Sequence, residues 1–305
     1  MGSTRYSSSD WANYSSKVSS KSTNEIFRSQ GLHADLDPKN ILVRESRDST
    51  VNPITTPVFV NLDVTGSMGI LARQIATKGL GLIFEELLSR RPVEGPQFAF
   101  GGIGDVKCDA VPFQVSQFES DTASLVPQLE KLFLEGGGGG NGTESYNLPW
   151  WFASTKIIHD AFDKRGKRGY LFTVGDEEAP FELAKTEIER VFGEGSEPVS
   201  NADLLLSLNQ QWNVFHIMIE QGAYMRARPT DVLNSWTTLL GQRAIPLSNI
   251  DNLAEVIVST IEVCEGTKSV DDVVNSWSGN TSMVVANAIK GLSQTNTTSS
   301  DIVRF

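Results

Sequence analysis

Residues 57–69 read Pro57-Val-Phe-Val-Asn-Leu-Asp63-Val-Thr65-Gly-Ser67-Met-Gly69. A mostly apolar run ends in a carboxylate, and two hydroxyls follow at alternate positions before a long apolar pattern typical of a helix. A buried strand that ends in Asp-x-Thr-x-Ser before a helix brings three oxygen-bearing side chains round one point at the sheet edge. Such oxygens suit Mg²⁺, a hard cation that prefers octahedral oxygen ligands. The same residues are also typical helix caps, so this stretch alone leaves both interpretations open.

The composition describes a globular chain that binds cations more readily than nucleic acid. The chain has 305 residues, 39% of them hydrophobic, which is enough for one large core or two modest ones. The formal net charge of −11 gives no broad basic field to attract phosphates. Cys108 and Cys264 lie outside any Cys-x-x-Cys motif or His/Cys cluster, which argues against a disulfide scaffold and a zinc site.

Composition shifts predict four regions. We expect a flexible Ser-rich arm at 1–24, an N-terminal extension that packs on the core at 25–54, a main domain at 55–265 and a C-terminal helical tail at 266–305. For the extension, an irregular loop with a few apolar anchors is an equally good interpretation. The N-terminus lacks the apolar core of a signal peptide and no run is long enough to span a membrane, so we expect a soluble, cytoplasmic protein without a membrane partner.

From residue 58 onward the pattern alternates between strand and helix, which indicates an α/β fold. The strands are continuously apolar, so both faces of the sheet should be covered. We therefore predict a doubly wound, mostly parallel central sheet flanked by helices. Strands are expected at 58–62, 97–103, 110–118 (antiparallel), 170–174, 213–219 and near 245, and helices at 70–91, 122–135, 148–164, 183–193, 201–211, 230–240, 253–265, 269–277 and 280–292.

Three separate segments present oxygen-bearing side chains to one edge of this sheet. Asp63 ends the first strand, and Asp176 follows a later one. Thr143 lies in the glycine-rich stretch 135–145, on a loop flexible enough to reach the same edge. Because ligands of open α/β sheets bind outside the carboxyl ends of the strands, this arrangement favours a cation site over simple helix capping.

These three segments, in this order, resemble the metal-ion-dependent adhesion site of the von Willebrand factor A (vWA) domains, a family with a Rossmann-like fold. The resemblance covers about residues 55–265. It implies that Mg²⁺ (or Mn²⁺) is held, directly or through waters, by Asp63, Thr65, Ser67, Thr143 and Asp176.

The chain departs from the family pattern in two places. Thr65 replaces the usual Ser and keeps the hydroxyl. Gly175 precedes the last acid instead of following it, which leaves the choice among Asp176, Glu177 and Glu178 open.

The residues beside the metal ligands are candidates for a partner-binding rim. We place Asp105, Glu144, Trp150 and Glu177 there. The more common interpretation of Asp105, as of Asp109, is an ordinary solvated loop carboxylate. The more common interpretation of Trp150 and its neighbour Trp151 is that they are core anchors at a helix start.

We predict a non-enzymatic module in which an Asp or Glu of a partner protein completes the coordination of the metal. The resemblance also implies partners that include AAA+ ATPases. Two alternatives stay open. Asp63-Val-Thr-Gly-Ser67 resembles the phosphorylation motif of the haloacid dehalogenase superfamily, in which the Asp is a nucleophile beside Mg²⁺. Alternatively, the flanking segments mediate assembly and the metal only stabilises the fold.

Overall fold

The computed structural model describes residues 29–68, 70–74, 79–134, 142–193 and 195–294, together with Ser16. The expected flexible arm at 1–24, apart from Ser16, and the polar end of the tail at 295–305 lie outside the described residues, as does most of the glycine run before Thr143.

The central sheet has six strands, and five of them are parallel. The strands of the described chain are β1 Arg44–Ser46, β2 Thr56–Asp63, β3 Pro96–Ile103, β4 Phe113–Val115, β5 Ile157–His159, β6 Gly169–Gly175, β7 Trp212–Ile219 and β8 Ala244–Leu247. The order across the sheet is β4-β3-β2-β6-β7-β8, and only β4 runs antiparallel, against β3. Counted along the chain this is the 3-2-1-4-5-6 order of a doubly wound sheet, which confirms the predicted fold class.

Helices cover both faces of the sheet. They are α1 Ile70–Gln74, α2 Leu80–Arg90, α3 Thr122–Leu129, α4 Leu148–Lys156, α5 Asp160–Arg165, α6 Lys185–Phe192, α7 Asn201–Gln211, α8 Ala223–Ala227, α9 Pro229–Leu240, α10 Leu253–Cys264, α11 Val270–Asn275 and α12 Gly279–Ile289, with 3-10 turns at Pro38–Asn40, Gly241–Arg243 and Ile250–Asn252. Among the residues that the structure describes, no helix is long and apolar enough to cross a membrane.

Every residue of β2 is buried, as the continuous apolar pattern predicts. Successive side chains of a strand point to opposite faces. Val58, Val60 and Leu62 accordingly join a core with α2 and α10, whereas Phe59 joins a second core with α4, α7 and α9. The strand is thus fixed from both sides, and its last residue, Asp63, is held at the edge of the sheet where the parallel strands have their carboxyl ends.

The predicted helix at 148–164 is wrong. It is interrupted by β5, which pairs in parallel with β1. The two β-branched residues Ile157 and Ile158 favour a strand. The buried Lys156 amine donates to the carbonyl of Ile41 at 2.9 Å, which ties the end of α4 to the segment before β1. Tertiary pairing therefore overrides helix propensity here.

The other elements differ from the predictions mainly at their ends. α1 and α2 fall within the predicted helix at 70–91, and residues 75–78 between them lie outside the described part. α3 ends at Leu129 instead of 135. In the C-terminal region α11 and α12 contribute Val273, Val285 and Ile289 to the core that contains α10. The four region boundaries themselves stay predictions.

Candidate metal centre

The centre lies where the chain switches from one half of the sheet to the other. Strands β2 and β6 are parallel neighbours, with Leu62 opposite Val174. Asp63 therefore ends β2 next to the point where Asp176 follows β6. From β2 the chain builds the sheet outward through β3, and from β6 it builds in the opposite direction through β7. Such a switch point at the carboxyl ends of the strands is the usual ligand site of an open α/β sheet.

Four of the five predicted ligands form one continuous row of oxygens. Asp63, which is fully buried, accepts from both the backbone N–H and the hydroxyl of Thr65 on its Oδ1, at 2.9 and 2.6 Å. Thr65 Oγ1 lies 3.2 Å from Ser67 Oγ. Ser67 in turn donates to Asp176 Oδ1 at 2.9 Å. The first segment and the later acid are thus brought together as the sequence predicts.

The protons of the two hydroxyls point away from each other. Each hydroxyl has a single proton to donate, and the two shorter contacts direct these protons to Asp63 and Asp176. The oxygens of Thr65 and Ser67 then face each other at 3.2 Å with lone pairs between them. Lone pairs of this kind, flanked by two carboxylates, are a donor set for a hard cation.

The spacing of the oxygens also fits Mg²⁺. With metal–oxygen distances of about 2.1 Å and octahedral geometry, adjacent ligand oxygens are roughly 3.0 Å apart. The three oxygen–oxygen distances along the row are 2.6, 3.2 and 2.9 Å. No three Asp, Glu, His or Cys side chains are arranged to hold a metal in the described residues, so a cation here would depend on the two hydroxyls as well as the acids.

The fifth predicted ligand, Thr143, lies beside the acidic loop. Its backbone forms a parallel bridge with Glu178, two residues beyond Asp176. Among the hydrogen bonds of the described residues, none joins the Thr143 hydroxyl to the row of oxygens. Its role as a ligand stays a prediction.

Of the three acids that the sequence left open, Asp176 is the one whose carboxylate is fixed within the row. Its Oδ2 also accepts from the backbone N–H of Tyr224 at 2.8 Å. Glu177 lies within reach of the Ser67 hydroxyl, which partly offsets the rise in its pKa. Glu178 instead accepts from the Tyr224 hydroxyl at 2.8 Å and lies near Arg228.

The predicted rim acids are buried. Asp105, Glu144 and Glu177 have exposed fractions of 2%, 3% and 6%. Asp105 Oδ1 accepts from the backbone N–H of Lys107 at 2.9 Å, and its own N–H donates to Asp109 Oδ2 at 2.7 Å. Since Asp109 is also buried, the interpretation of these two acids as solvated loop carboxylates is wrong.

The prediction that Trp150 contacts a partner is wrong as well. Its side chain is fully buried and packs edge-to-face on Trp236, with ring centroids 6.2 Å apart. Trp151 stacks on Phe192 at 4.1 Å. The two indoles are therefore core anchors at the start of α4.

The buried acids around the row carry more negative charge than their surroundings balance. Burial and the neighbouring Asp176 raise the pKa of Asp63 to about 7. Burial and nearby carboxylates raise the pKa of Glu177 to about 8 and of Glu144 to about 10, and burial also raises the pKa of Asp176. No ion pair in the described part of the chain includes any of these four acids.

Two carboxylate oxygens beside the row lack any hydrogen-bond partner. Glu144 Oε2 and Glu177 Oε2 are both buried and unpaired within the described structure. Buried polar atoms are normally hydrogen-bonded, and each exception requires an explanation. These two atoms mark the margin of the row as a place where polar groups lack partners. The row itself, with two carboxylates and two hydroxyls, is the donor set that a hard cation prefers, so the residues present fit a divalent metal.

Sequence reasoning missed three residues of the centre. The Tyr146 hydroxyl donates to Asp63 Oδ2 at 2.9 Å, and the Tyr224 backbone binds Asp176. Gly222 has no room for a Cβ, which would overlap the side chain of Asp176. The position of residues 222–224 just after the apolar strand β7 was a usable signal, since loops at that end of the sheet reach the rim.

No protein-family model and no curated protein matches this sequence. Several solved structures share its general chain course. A von Willebrand factor type A protein from Catenulispora acidiphila is 16% identical, with a TM-score of 0.42 over 78% of this chain and 51% of that one. Proximal thread matrix protein 1 from the mussel byssus, with a zinc-occupied MIDAS motif, is 10% identical, with a TM-score of 0.44 over 72% and 48%. The pilus adhesin SpaC from Lactobacillus rhamnosus GG is 10% identical, with a TM-score of 0.41 over 76% and 31%.

The chain spans about a third to a half of the length of these structures. Likenesses this distant concern the fold and carry nothing about ligands or activity. The strand order by itself shows the doubly wound, Rossmann-like sheet that the sequence resemblance predicts.

Proposed function

We propose that this protein is a metal-dependent protein-binding module. In this proposal a divalent cation, Mg²⁺ or Mn²⁺, is held by Asp63, Thr65, Ser67, Thr143 and Asp176, and a carboxylate of a partner protein completes its coordination. The observation that carries the proposal is the row of oxygens from Asp63 to Asp176, spaced 2.6, 3.2 and 2.9 Å apart, whose two acids no ion pair of the described residues balances.

Access to the row supports a partner that approaches from solvent. Asp63 and Thr65 are buried, whereas Ser67 is partly exposed and Gly66 is exposed. A partner carboxylate can therefore approach over residues 66 and 67 without displacing the core. A bound cation would act there as an electrophile that attracts an anionic oxygen more strongly than a neutral one.

The charge balance of the site supports a carboxylate ligand in particular. With pKa values of about 8 and 10, Glu177 and Glu144 are mostly protonated at neutral pH in the metal-free protein. Asp63, with a pKa of about 7, is about half ionised there, and a bound cation would favour its charged form. Asp63 and Asp176 then supply the two negative charges of the proposed ligand set, and the hydroxyls add none. Such a centre is close to neutral, so a further carboxylate is not repelled.

The test uses Mn²⁺ and a small carboxylate as the partner probe. Water-proton relaxation reports the waters bound to Mn²⁺, so the protein loaded with Mn²⁺ is titrated with acetate and, as the matched neutral control, with acetamide. We expect acetate to lower the relaxation enhancement in a saturable manner and acetamide to leave it unchanged. Asp63→Asn should abolish the enhancement itself.

Each alternative result removes a different part of the proposal. A wild-type protein that does not bind Mn²⁺ would rule out the metal centre. Mn²⁺ binding that is indifferent to acetate would leave a metal centre whose role is to stabilise the fold, which is the assembly alternative.

The contacts of two lysines give no support to the phosphoryl-transfer alternative. That chemistry needs a cationic side chain beside the nucleophilic Asp63. The Lys156 amine instead donates to the Ile41 carbonyl, and Lys164 pairs with Asp48 and Asp160 near the start of β2. We propose that the protein is not an enzyme. Hydrolysis of p-nitrophenyl phosphate by wild type, lost in Asp63→Asn, would contradict this.

The remaining proposals rest on the sequence. A partner complex that contains an AAA+ ATPase, a cytoplasmic location and the region boundaries at residues 24, 54 and 265 stay predictions. Purification of the protein with its bound partners from its native cells, with and without chelator, would test the first two together.

A further inference from the structure

The side chain of Tyr146 lies between the two segments that carry the proposed metal ligands, although Tyr146 is not itself one of these ligands. Its hydroxyl lies 2.9 Å from Asp63 Oδ2 and 3.4 Å from the backbone nitrogen of Glu177. A backbone N–H can only donate, so the phenol accepts from Glu177 and its single proton is directed to Asp63. One hydroxyl thus joins the end of β2 to the loop after β6.

The fold is shaped to admit this hydroxyl. A Cβ at position 175 would overlap the hydroxyl and ring of Tyr146, so only glycine fits there. The requirement accounts for Gly175, which departs from the family pattern by preceding the acid. The Tyr146 ring is fully buried and is held edge-to-face by His216 and Trp236, with centroids 4.9 and 5.5 Å away.

Trp236 binds the backbone of the same residue, Glu177, through the next peptide group. Its indole N–H donates to the carbonyl of Glu177 at 2.9 Å. The backbone of Glu177 is therefore held at its N–H by Tyr146 and at its C=O by Trp236, and the two rings pack on each other. The residue that follows Asp176 cannot shift without disturbing this pair.

We propose that Tyr146 is a positioning residue of the metal centre. By binding Asp63 Oδ2 it turns Oδ1 toward Thr65 and the row of oxygens, and by binding Glu177 it sets the distance between Asp63 and Asp176. The inference rests on the proposed function and adds that occupation of the centre is sensed by Glu177 and by the indole of Trp236 on α9.

The decisive variant is Tyr146→Phe, which keeps the ring and removes the hydroxyl. The matched control is Tyr170→Phe, because Tyr170 is also fully buried and donates to a carboxylate, Glu265, at 2.7 Å, but lies at the opposite end of β6. Dissociation constants for Mn²⁺ are measured by the electron paramagnetic resonance signal of the free ion, and thermal midpoints are measured without metal. Residues that orient metal ligands typically change affinity about 10- to 100-fold when replaced.

We expect Tyr146→Phe to weaken Mn²⁺ binding at least about 10-fold, with a metal-free midpoint close to that of Tyr170→Phe, whose affinity should equal that of wild type. Equal affinity in wild type and Tyr146→Phe would overturn the inference and leave the proposed function intact. Weakened binding in both variants, in proportion to their lost stability, would also overturn it. A wild-type protein without Mn²⁺ affinity would overturn both.

A second measurement covers the case in which Tyr146→Phe does not fold. In wild type, addition of Mg²⁺ should shift the NMR resonance of the Trp236 indole N–H, which can be assigned with Trp236→Phe. An indole that does not respond to saturating Mg²⁺ would overturn the inference. Gly175→Ala, which crowds the hydroxyl from the other side, should weaken Mn²⁺ binding in the same way as Tyr146→Phe.

Discussion

The two ends of strand β2 carry two acidic clusters with opposite environments. Near the first residue of the strand, Asp48 and Asp160 form ion pairs with three cationic side chains, Arg47, Lys164 and Arg165. At its other end, Asp63 and its neighbours Glu144, Asp176 and Glu177 form no ion pair in the described structure, and the nearest pair joins Glu178 to the exposed Arg228. The pKa values record the contrast: hydrogen bonds from cationic side chains outweigh burial and lower the pKa of Asp48 and Asp160, whereas burial raises that of Asp63.

The comparison shows how the same residue types serve two purposes in one fold. Paired acids hold segments together: Asp48 accepts from Arg165 and from both the N–H and hydroxyl of Thr55, which precedes β2. Acids without a cation cost stability, because a buried charge must be balanced or protonated. A protein that keeps such a cluster at a ligand-binding edge does so at the expense of its metal-free stability.

The largest effect should come from breaking the balanced cluster. Asp48→Ala leaves the guanidinium of Arg165, which is mostly buried, without its carboxylate. We expect a loss of about 3 kcal/mol, or roughly 5–10 °C in the thermal midpoint, with and without Mg²⁺. Asp163→Ala is the control, since Asp163 is about half exposed and its loss should cost less than about 1 kcal/mol. If Mg²⁺ restored the thermal midpoint of Asp48→Ala to that of wild type, the two acidic clusters would not differ in the way proposed.

Removal of an acid at the other end should have the opposite signature. Asp63→Asn keeps the shape of the side chain and removes a buried charge beside Asp176. Its metal-free midpoint at pH 8 should be equal to or higher than that of wild type. Wild type should gain roughly 2.7 kcal/mol from a cation at about 100 times its dissociation constant, and the variant should gain nothing. If Asp63→Asn destabilises the metal-free protein as much as Asp48→Ala does, then the charge of Asp63 stabilises the fold and the contrast between the two clusters is wrong.

The stability of the metal-free protein should fall as pH rises. The folded protein holds protons on Asp63, Glu177 and Glu144 up to pH values of about 7, 8 and 10, whereas the unfolded chain releases them near 4. The folded state thus binds more protons, so its stability is present at low pH and is lost as pH passes through these folded values. The folded state holds about two more protons than the unfolded chain in this range, so we expect a decrease of roughly 2–3 kcal/mol per pH unit between pH 6.5 and 8.5.

Thermal unfolding across this range, with chelator and with saturating Mn²⁺, checks the sign. Mn²⁺ should flatten the slope, because it binds the ionised acids, and Glu177→Gln should reduce it without metal. Below pH 6.5 the buried His159 acts in the opposite direction. Its folded pKa is lowered to about 4 by burial, so the stability it contributes above 6.5 is lost as pH falls. Equal slopes with and without Mn²⁺ would contradict the prediction.

The features that were predictable from the sequence are those set by local pattern. Continuous apolar runs identify the parallel strands, and an acid at the end of a parallel strand lies at the ligand-binding edge by topology alone. That reasoning placed Asp63, Ser67 and Asp176 together. The same arrangement favoured a cation site over helix capping, although both use the same residue types, and the resemblance then implied the set of ligands.

The features that were missed depend on partners distant in the chain. Residues 157–159 form a strand because residues 44–46 lie beside them, and no pattern within 148–164 shows this. Asp109 is buried because its loop is capped by Arg190, which donates to the carbonyl of Asp109. Tyr146 finds its acceptor 83 residues earlier in the chain. The space at Gly175 that admits it exists only in the folded protein.

The smallest effect should come from a cation at the margin of the unbalanced cluster. Arg228 is exposed, lies 3.8 Å from Glu178 and donates to the Tyr224 hydroxyl at 3.3 Å. It is too solvated to balance the buried acids, and exposed pairs contribute little.

Arg228→Gln should therefore leave the thermal midpoint unchanged and strengthen Mn²⁺ binding by no more than about 2-fold at low salt. In about 0.5 M salt the difference should vanish, because exposed charges are then screened over a few ångströms. Lys290→Gln, the same charge change at an exposed position just after α12, is the control. If Arg228→Gln alters affinity about 10-fold and the change persists in high salt, Arg228 is part of the charge balance of the centre, and the contrast between the two ends of β2 is weaker than the ion pairs indicate.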